Sequence, residues 1–293
     1  MRIAFLGLPL AALALERAGH EVVVIGLCRE DAPGTRRVRR LGERVVAKPV
    51  LDAGFFDRVR VLAPDLLVSW FWTTRIPEEL VACARWGGFG VHPSLLPRWR
   101  GPDPCFHAID AGDVETGVTA HRIASEYDTG AILGQRRVTI DPGWDGWALA
   151  RALDGPSLSL MLETVTAIGE GAVIDTPQDE GAVTMAPAPT EAELELDFKQ
   201  PADAIVRRVR AAAPYPGAWT FLGEEAVVVT RAEIAMDVPR VLEPGEAAVV
   251  GGRVVVRAAD TGVALVRGRV VEDEGERWCD TAALTGLVGL VGH

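Results

Sequence analysis

The chain has 293 residues, 48% hydrophobic and 24% charged, the balance of a globular protein with one large or two modest domains. Its formal net charge is −11, and a grip on nucleic acid needs phosphate-neutralising Lys and Arg, so the acidic total argues against a nucleic-acid partner, though a local patch could survive. Cys28, Cys83, Cys105 and Cys279 form no CxxC pair, and no His/Cys/Asp/Glu cluster has metal-ligand spacing, so neither disulfides nor a metal are expected. With no basic-then-apolar leader and no apolar run of membrane length, no membrane partner is expected and the expected location is cytoplasmic.

Residues 2–6 are a short apolar run that predicts a buried parallel strand; Gly7-Leu8-Pro9 breaks it, 10–18 has helical spacing, and 20–27 predicts a second strand. This βαβ opening lacks the GxGxxG fingerprint, because Gly7 is followed by Pro9 and Ala11, so a dinucleotide is not expected. Arg36, Arg37, Arg39 and Arg40 leave three readings open: a solvated helix face, contact with an anionic substrate such as a nucleotide phosphate, or contact with RNA. Residues 55–62 predict a helix ending before Pro64, 65–70 a third core strand, and 78–84 a short helix. Between the last two lies SWFWTTRIP (69–77), where Trp70 and Trp72 leave open whether one or both are core.

Residues 87–130 organise the rest. A short strand (89–91) runs into His92 and the proline-bracketed loop Pro93-Ser94-Leu95-Leu96-Pro97; a second strand (118–123) leads to Asp128-Thr129-Gly130. Such a His and Asp can converge where strands end, the edge at which open α/β sheets bind ligands. His92 is the natural proton carrier, its ordinary pKa lying near neutrality, although a strand-end His is also often a satisfied core residue. Of His121 and Arg122, on the strand before Asp128, one should face the pocket or the domain interface. Residues 131–140 predict another strand and 144–168 a long amphipathic helix. The Pro-, Gly- and Ala-rich stretch 175–190 reads as a linker. Beyond it come a helix (202–212) and the strand-and-turn runs AVVVT, AAVVGGRVVVRAA and GVALVRGRVV, with acids at Glu272, Asp273, Glu274 and Glu276.

HPSLLPRWRG (92–101), Ala108-Ile109, TGVT (116–119) and DTGAIL (128–133) together resemble the formyltransferase family, enzymes that move a formyl group from 10-formyltetrahydrofolate to an amine. The resemblance implies an α/β fold: an open, mostly parallel, Rossmann-like catalytic domain (1–175), a linker (176–190) and a small β-rich, OB-like barrel domain (191–293). It implies His92 and Asp128 as the catalytic pair. Trp72, Thr74, Arg75 and Ile76, with Ser125, Glu126 and Tyr127, would border the folate. Ser94, Arg98 and His107 are the candidates on the substrate side, with loop-closing and bracing readings open for the first two.

One position departs from the family, which carries Asn-x-His where this chain has Gly90-Val91-His92. That Asn donates an N–H to the developing oxyanion, and losing such a donor typically costs roughly 10²–10³ in rate. Three consequences stay open: another donor, a water or a backbone N–H substitutes; the scaffold serves another reaction (hydrolysis, condensation or cyclisation); or the protein is a non-catalytic binder of folate or a metabolite. The short segment 28–48, with Asp31-Ala32-Pro33-Gly34, looks more like members that formylate amino sugars or other small amines than like tRNA-directed ones. The expected substrate is accordingly an amino sugar, an amino acid or a secondary-metabolite intermediate, and tRNA is disfavoured by the acidic total and the short segment.

Overall fold

The computed structural model describes residues 1–272 and 275–288; Asp273 and Glu274, two of the expected acids, lie outside the described residues. The chain opens with β1 (Arg2–Gly7), α1 (Pro9–Arg17) and β2 (Glu21–Leu27). Pro9 begins the helix, where an absent N–H costs nothing. Gly7 has φ 148°, and a Cβ there would fall 2.0 Å from the Trp70 carbonyl oxygen, so only glycine fits this turn. There follow α2 (Thr35–Val38), β3 (Val45–Ala47), α3 (Ala53–Leu62), β4 (Leu66–Trp70), α4 (Glu78–Val81) and β5 (Gly88–His92). The series continues with α5 (Pro104–Asp110), β6 (Glu115–Arg122), β7 (Ile132–Thr139) and α6 (Gly146–Gly169). Asp52 caps α3, its carboxylate accepting from Phe55 N at 3.0 Å.

These seven strands form one sheet in the order β3-β2-β1-β4-β5-β6-β7. The pairs from β3 through β5 are parallel, while β5–β6 and β6–β7 are antiparallel. Strands β1, β2, β4 and β5 are buried along nearly their whole length, as their apolar runs require of strands covered on both faces. Edge strand β7 has no fully buried residue and alternates half-buried with exposed positions from Gly134 onward. The order reverses at β1, whose neighbours are β2 and β4, so the carboxyl ends of β1, β4 and β5 border a crevice of the kind that holds ligands. Trp70 is core: its Nε1 donates to Ser157 Oγ at 2.6 Å. Trp72 lies past Phe71, whose φ of 54° turns the chain out of β4.

The C-terminal part contains α7 (Glu191–Leu194), α8 (Ala202–Ala212), β8 (Ala218–Leu222), β9 (Glu225–Ala235) and β10 (Ala247–Val250). After these come β11 (Arg253–Arg257), β12 (Gly262–Glu272), β13 (Gly275–Cys279) and α9 (Thr281–Val288). The pairings between these strands are antiparallel, in the order β10-β11-β12-β9-β8. Strand β12 changes partner along its length: residues 262–265 pair with β11 and 268–272 with β13, as in a half-barrel.

Two compact units result. The first comprises Met1–Pro104, Glu115–Thr139 and Arg151–Pro187; the second comprises Cys105–Val114, Ile140–Ala150 and the chain from Ala188 onward. Within the second unit the Arg208 guanidinium grips the Asp110 carboxylate at 2.6 and 2.8 Å, and Arg207 Nε donates to the Asp110 carbonyl at 3.2 Å.

Candidate active site

Strand β5 carries Gly90 and His92 to the carboxyl edge of the first unit's sheet, and the loop that follows is held by side chains of its neighbours. Thr119 Oγ1 donates to Ser94 O at 2.7 Å and accepts from Leu96 N at 3.0 Å. Gln135 Nε2 donates to Leu96 O at 2.8 Å. Ser94 is fully buried and its Oγ donates to Arg98 O at 2.6 Å, so its hydroxyl closes the loop. Arg98 lies over the Trp99 ring, 4.2 Å from its centroid.

The loop is braced from a second direction by the stretch expected to be a linker. Trp99 N donates to Thr184 Oγ1 at 2.9 Å, Arg100 N to Thr184 O at 2.9 Å, and Ala186 N to Arg100 O at 2.7 Å. The Arg100 side chain, 5% exposed, donates to Gln178 Oε1 and to the Glu180 carboxylate. Gln178 in turn donates through Nε2 to Asp128 O and Gly130 O, both at 2.7 Å. Asp128 has φ 59°, a left-handed conformation that this network and the bond from Gly101 N to its Oδ2 (3.0 Å) stabilise. Gly130 is obligatory, since a Cβ there would lie 1.8 Å from Arg122 O.

Two imidazoles face the other carboxylate oxygen. His92 Nδ1 lies 3.5 Å and His121 Nε2 3.6 Å from Asp128 Oδ1. Each ring is anchored through its remaining nitrogen: His92 Nε2 is 2.8 Å from Trp99 O and His121 Nδ1 is 3.0 Å from Arg122 O. A carbonyl only accepts, so those nitrogens carry the protons, and in the neutral rings the nitrogens facing Asp128 carry lone pairs. Both histidines are 7% exposed. Burial lowers the His121 pKa to about 4; the Asp128 charge opposes that shift, and His92 and Arg100 add to it.

The trio lines a cavity of about 700 Å³ in the first unit, a volume suited to a small organic ligand. Its wall also holds Gly90, Ser69, Arg100, Trp72, Thr74, Arg75 and Ile76, Glu126 and Tyr127, and Met185 and Pro187. Thus Gly90, His92, Asp128, Trp72, Thr74, Arg75, Ile76, Glu126 and Tyr127 are brought together. Ser94, Arg98, Ser125 and His107 are not on the wall, and His107 belongs to the second unit. Gln178 and Met185 were not read as site members, Arg100 was not placed on the wall, and His121 was read only as one of two strand residues of which one should face the pocket or the domain interface. For His121 a signal existed: it is paired with Gly90 across β5 and β6.

The formyl transferase family model matches residues 16–165, and the model of the formyl transferase C-terminal domain matches residues 190–284. This chain belongs to the formyltransferase family. Methionyl-tRNA formyltransferase of Leifsonia xyli subsp. xyli is 33% identical, with 94% of each chain covered. The enzyme of the same name from Anaeromyxobacter dehalogenans (strain 2CP-1) is 35% identical, with 92% of each covered. Among solved structures, HypX from Aquifex aeolicus in complex with tetrahydrofolic acid superposes with a TM-score of 0.69 at 22% identity, and the chain spans 48% of that protein. An N-formyltransferase from Helicobacter canadensis, in complex with folinic acid and dTDP-3-aminofucose, gives 0.69 at 13% identity, with 90% of this chain and 98% of that one covered. At such identities the likeness is one of fold.

These formyltransferase relatives overturn one expectation. tRNA is not a disfavoured partner class: relatives a third identical over more than nine-tenths of the chain are named for methionyl-tRNA. The physical reason is that net charge sums over the whole surface, whereas phosphate contact needs only a local basic patch.

Proposed function

We propose that this formyltransferase moves a formyl group from 10-formyltetrahydrofolate to a primary amine, with the α-amine of methionyl-tRNA as acceptor. The observation that carries the reaction is the convergence of His92 Nδ1 and His121 Nε2 on one oxygen of Asp128 at the wall of the cavity. The acceptor rests on the relatives' names. His92 Nδ1 takes a proton from the attacking amine, because its other nitrogen is committed to Trp99 O. Asp128 stabilises the resulting imidazolium and keeps the ring in place. Residues 1–175 carry this chemistry, together with the bracing stretch 176–187.

The residues on the wall fit the cosubstrate. Trp72 Nε1 is buried without a hydrogen-bond partner among the described residues, a donor waiting for an acceptor. Trp72, Thr74, Arg75 and Ile76 from one loop and Glu126 and Tyr127 from the other would hold the pterin, and Arg75 offers a cation to a folate carboxylate. No helix among the described residues is long and apolar enough to cross a membrane; a cytoplasmic location is part of the proposal.

A second reading, formylation of a small-molecule amine, is favoured by the volume of the cavity, which can take a compact acceptor beside the pterin. Turnover with methionyl-tRNA and with a panel of amino sugars and amino acids, followed by tetrahydrofolate release, tests both. The first reading expects kcat/KM for methionyl-tRNA to exceed that of every small amine by at least about 10², in line with enzyme discrimination based on specific contacts. A small amine that outpaces the tRNA would establish the second. Release of tetrahydrofolate without a formylated product would show hydrolysis and defeat both.

A further inference from the structure

We propose that His121 makes the contact to the reacting formyl oxygen that Gly90 cannot make. The inference rests on the formyl-transfer reading above and deepens it. Gly90 and His121 are partners in the β5–β6 register. A Cβ built on Gly90 would lie 3.7 Å from His121 Nε2 and equally 3.7 Å from Ser69 Cβ, so the imidazole is one of the two side chains that position 90 faces. Both residues line the cavity beside His92 and Asp128. The ring is fixed in advance: it is 7% exposed, and its Nδ1–H is held by Arg122 O at 3.0 Å. Once its Nε2 carries a proton, a ring already fixed in a dry site donates with little reorganisation when charge develops on oxygen.

In the open site His121 Nε2 carries a lone pair, so this role needs a proton that the substrate brings. His92 Nδ1, His121 Nε2 and Asp128 Oδ1 are three acceptors facing one another, and a substrate ammonium brings a proton to them. The charged and titratable groups around His121 are Asp128 from the loop after β6, His92 from β5 and Arg100 from the loop after β5. Of these only Asp128 favours the imidazolium. His121 Nε2, paired with Asp128, receives one proton from the substrate ammonium, which leaves the amine lone pair free. The amine nitrogen bonds to the formyl carbon, the C=O π pair moves to oxygen, and His121 Nε2–H donates to that oxygen. His92 Nδ1 takes the second amine proton and passes it to the folate nitrogen as the C–N bond breaks with its pair going to that nitrogen. The C=O bond re-forms, and the proton on His121 leaves with the product. The sum is ammonium plus formyl donor to formamide, tetrahydrofolate and one proton.

The test measures formyl transfer by the full-length protein with His121→Leu, His121→Gln, Gly90→Asn and the double variant Gly90→Asn/His121→Leu. Binding of 5-formyltetrahydrofolate to each serves as the check on folding. Loss of one oxyanion donor predicts a kcat about 10²–10³ lower for His121→Leu with KM for folate within about threefold. His121→Gln, whose amide reaches the Nε2 station, should recover at least about tenfold of that loss, and Gly90→Asn should restore most of it in the double variant. A purely structural role would respond to neither rescue. The proposal is overturned if His121→Leu keeps wild-type kcat, or if it loses activity that neither Gln at 121 nor Asn at 90 restores. Absence of transfer by the wild type would instead remove the formyl-transfer reading, and this inference with it.

Discussion

At the scale of single residues, the site holds two imidazoles that face the same oxygen of Asp128. His121 is buried against Asp128, His92 and Arg100, and burial is the dominant influence on it. Its folded pKa is depressed below the ordinary value near 6.5, so the unfolded chain binds the proton more readily. Stability from this group is therefore complete above about pH 6.5 and is lost progressively as pH falls toward 4. Thermal melts across that window should show a steeper fall in Tm for the wild type than for His121→Gln; parallel curves would contradict the assignment. His92 and Asp128 were legible in the sequence because they sit in an ordered motif. His121 was read only as one of two strand residues with one facing inward, because its role depends on its cross-strand pairing with Gly90, a contact between strands that the linear order does not display.

At the scale of elements, the parallel core was readable from apolar runs, since a strand covered on both faces has no polar period to hide it. The three-residue β3 carries no such signal, and the helix expected over 78–84 stops at Val81. The stretch 175–190 is the clearest case of composition misleading: rich in Pro, Gly and Ala, it reads as a passive connection. Its backbone and side chains instead hydrogen-bond to the loop after β5 and to Asp128 and Gly130. Gln178→Ala would leave the Asp128 and Gly130 carbonyls without this donor, at a cost of about 1–3 kcal/mol. Because Asp128 holds a left-handed backbone, loosening it should lower kcat/KM about tenfold, as small misplacements of catalytic groups do. Steady-state kinetics of Gln178→Ala and of Glu180→Gln separate this from general disruption. Glu180 is exposed, so its exchange should change kcat/KM less than about twofold despite the Arg100 contact.

At the scale of the whole molecule, the two compact units are not consecutive in sequence. Segments 105–114 and 140–150, which carry the buried Phe106, Ala108, Ile109 and Leu149, belong to the same unit as the chain beyond Ala188. A fragment ending at residue 190 would lose the Arg207 and Arg208 partners of Asp110 and would expose those apolar side chains. It should aggregate or melt without a cooperative transition, whereas the full chain melts cooperatively by calorimetry; a well-folded 1–190 fragment would contradict this. Family membership spans both units, and the resemblance carried by the loop after β5 pointed to it before any geometry was known. The partner class was the part least legible, because a total charge does not locate charges on a surface.

The central claim is that the His92–Asp128–His121 cluster transfers a formyl group from folate to an amine. A single-turnover rapid-quench experiment with 10-formyltetrahydrofolate carrying a labelled formyl carbon, and methionyl-tRNA as acceptor, tests it most directly. The expected result is label in the amide product at the rate of tetrahydrofolate release, slowed by about 10²–10⁴ in His92→Ala while folate binding persists. Label appearing as free formate, or transfer at an unchanged rate in His92→Ala, would contradict it.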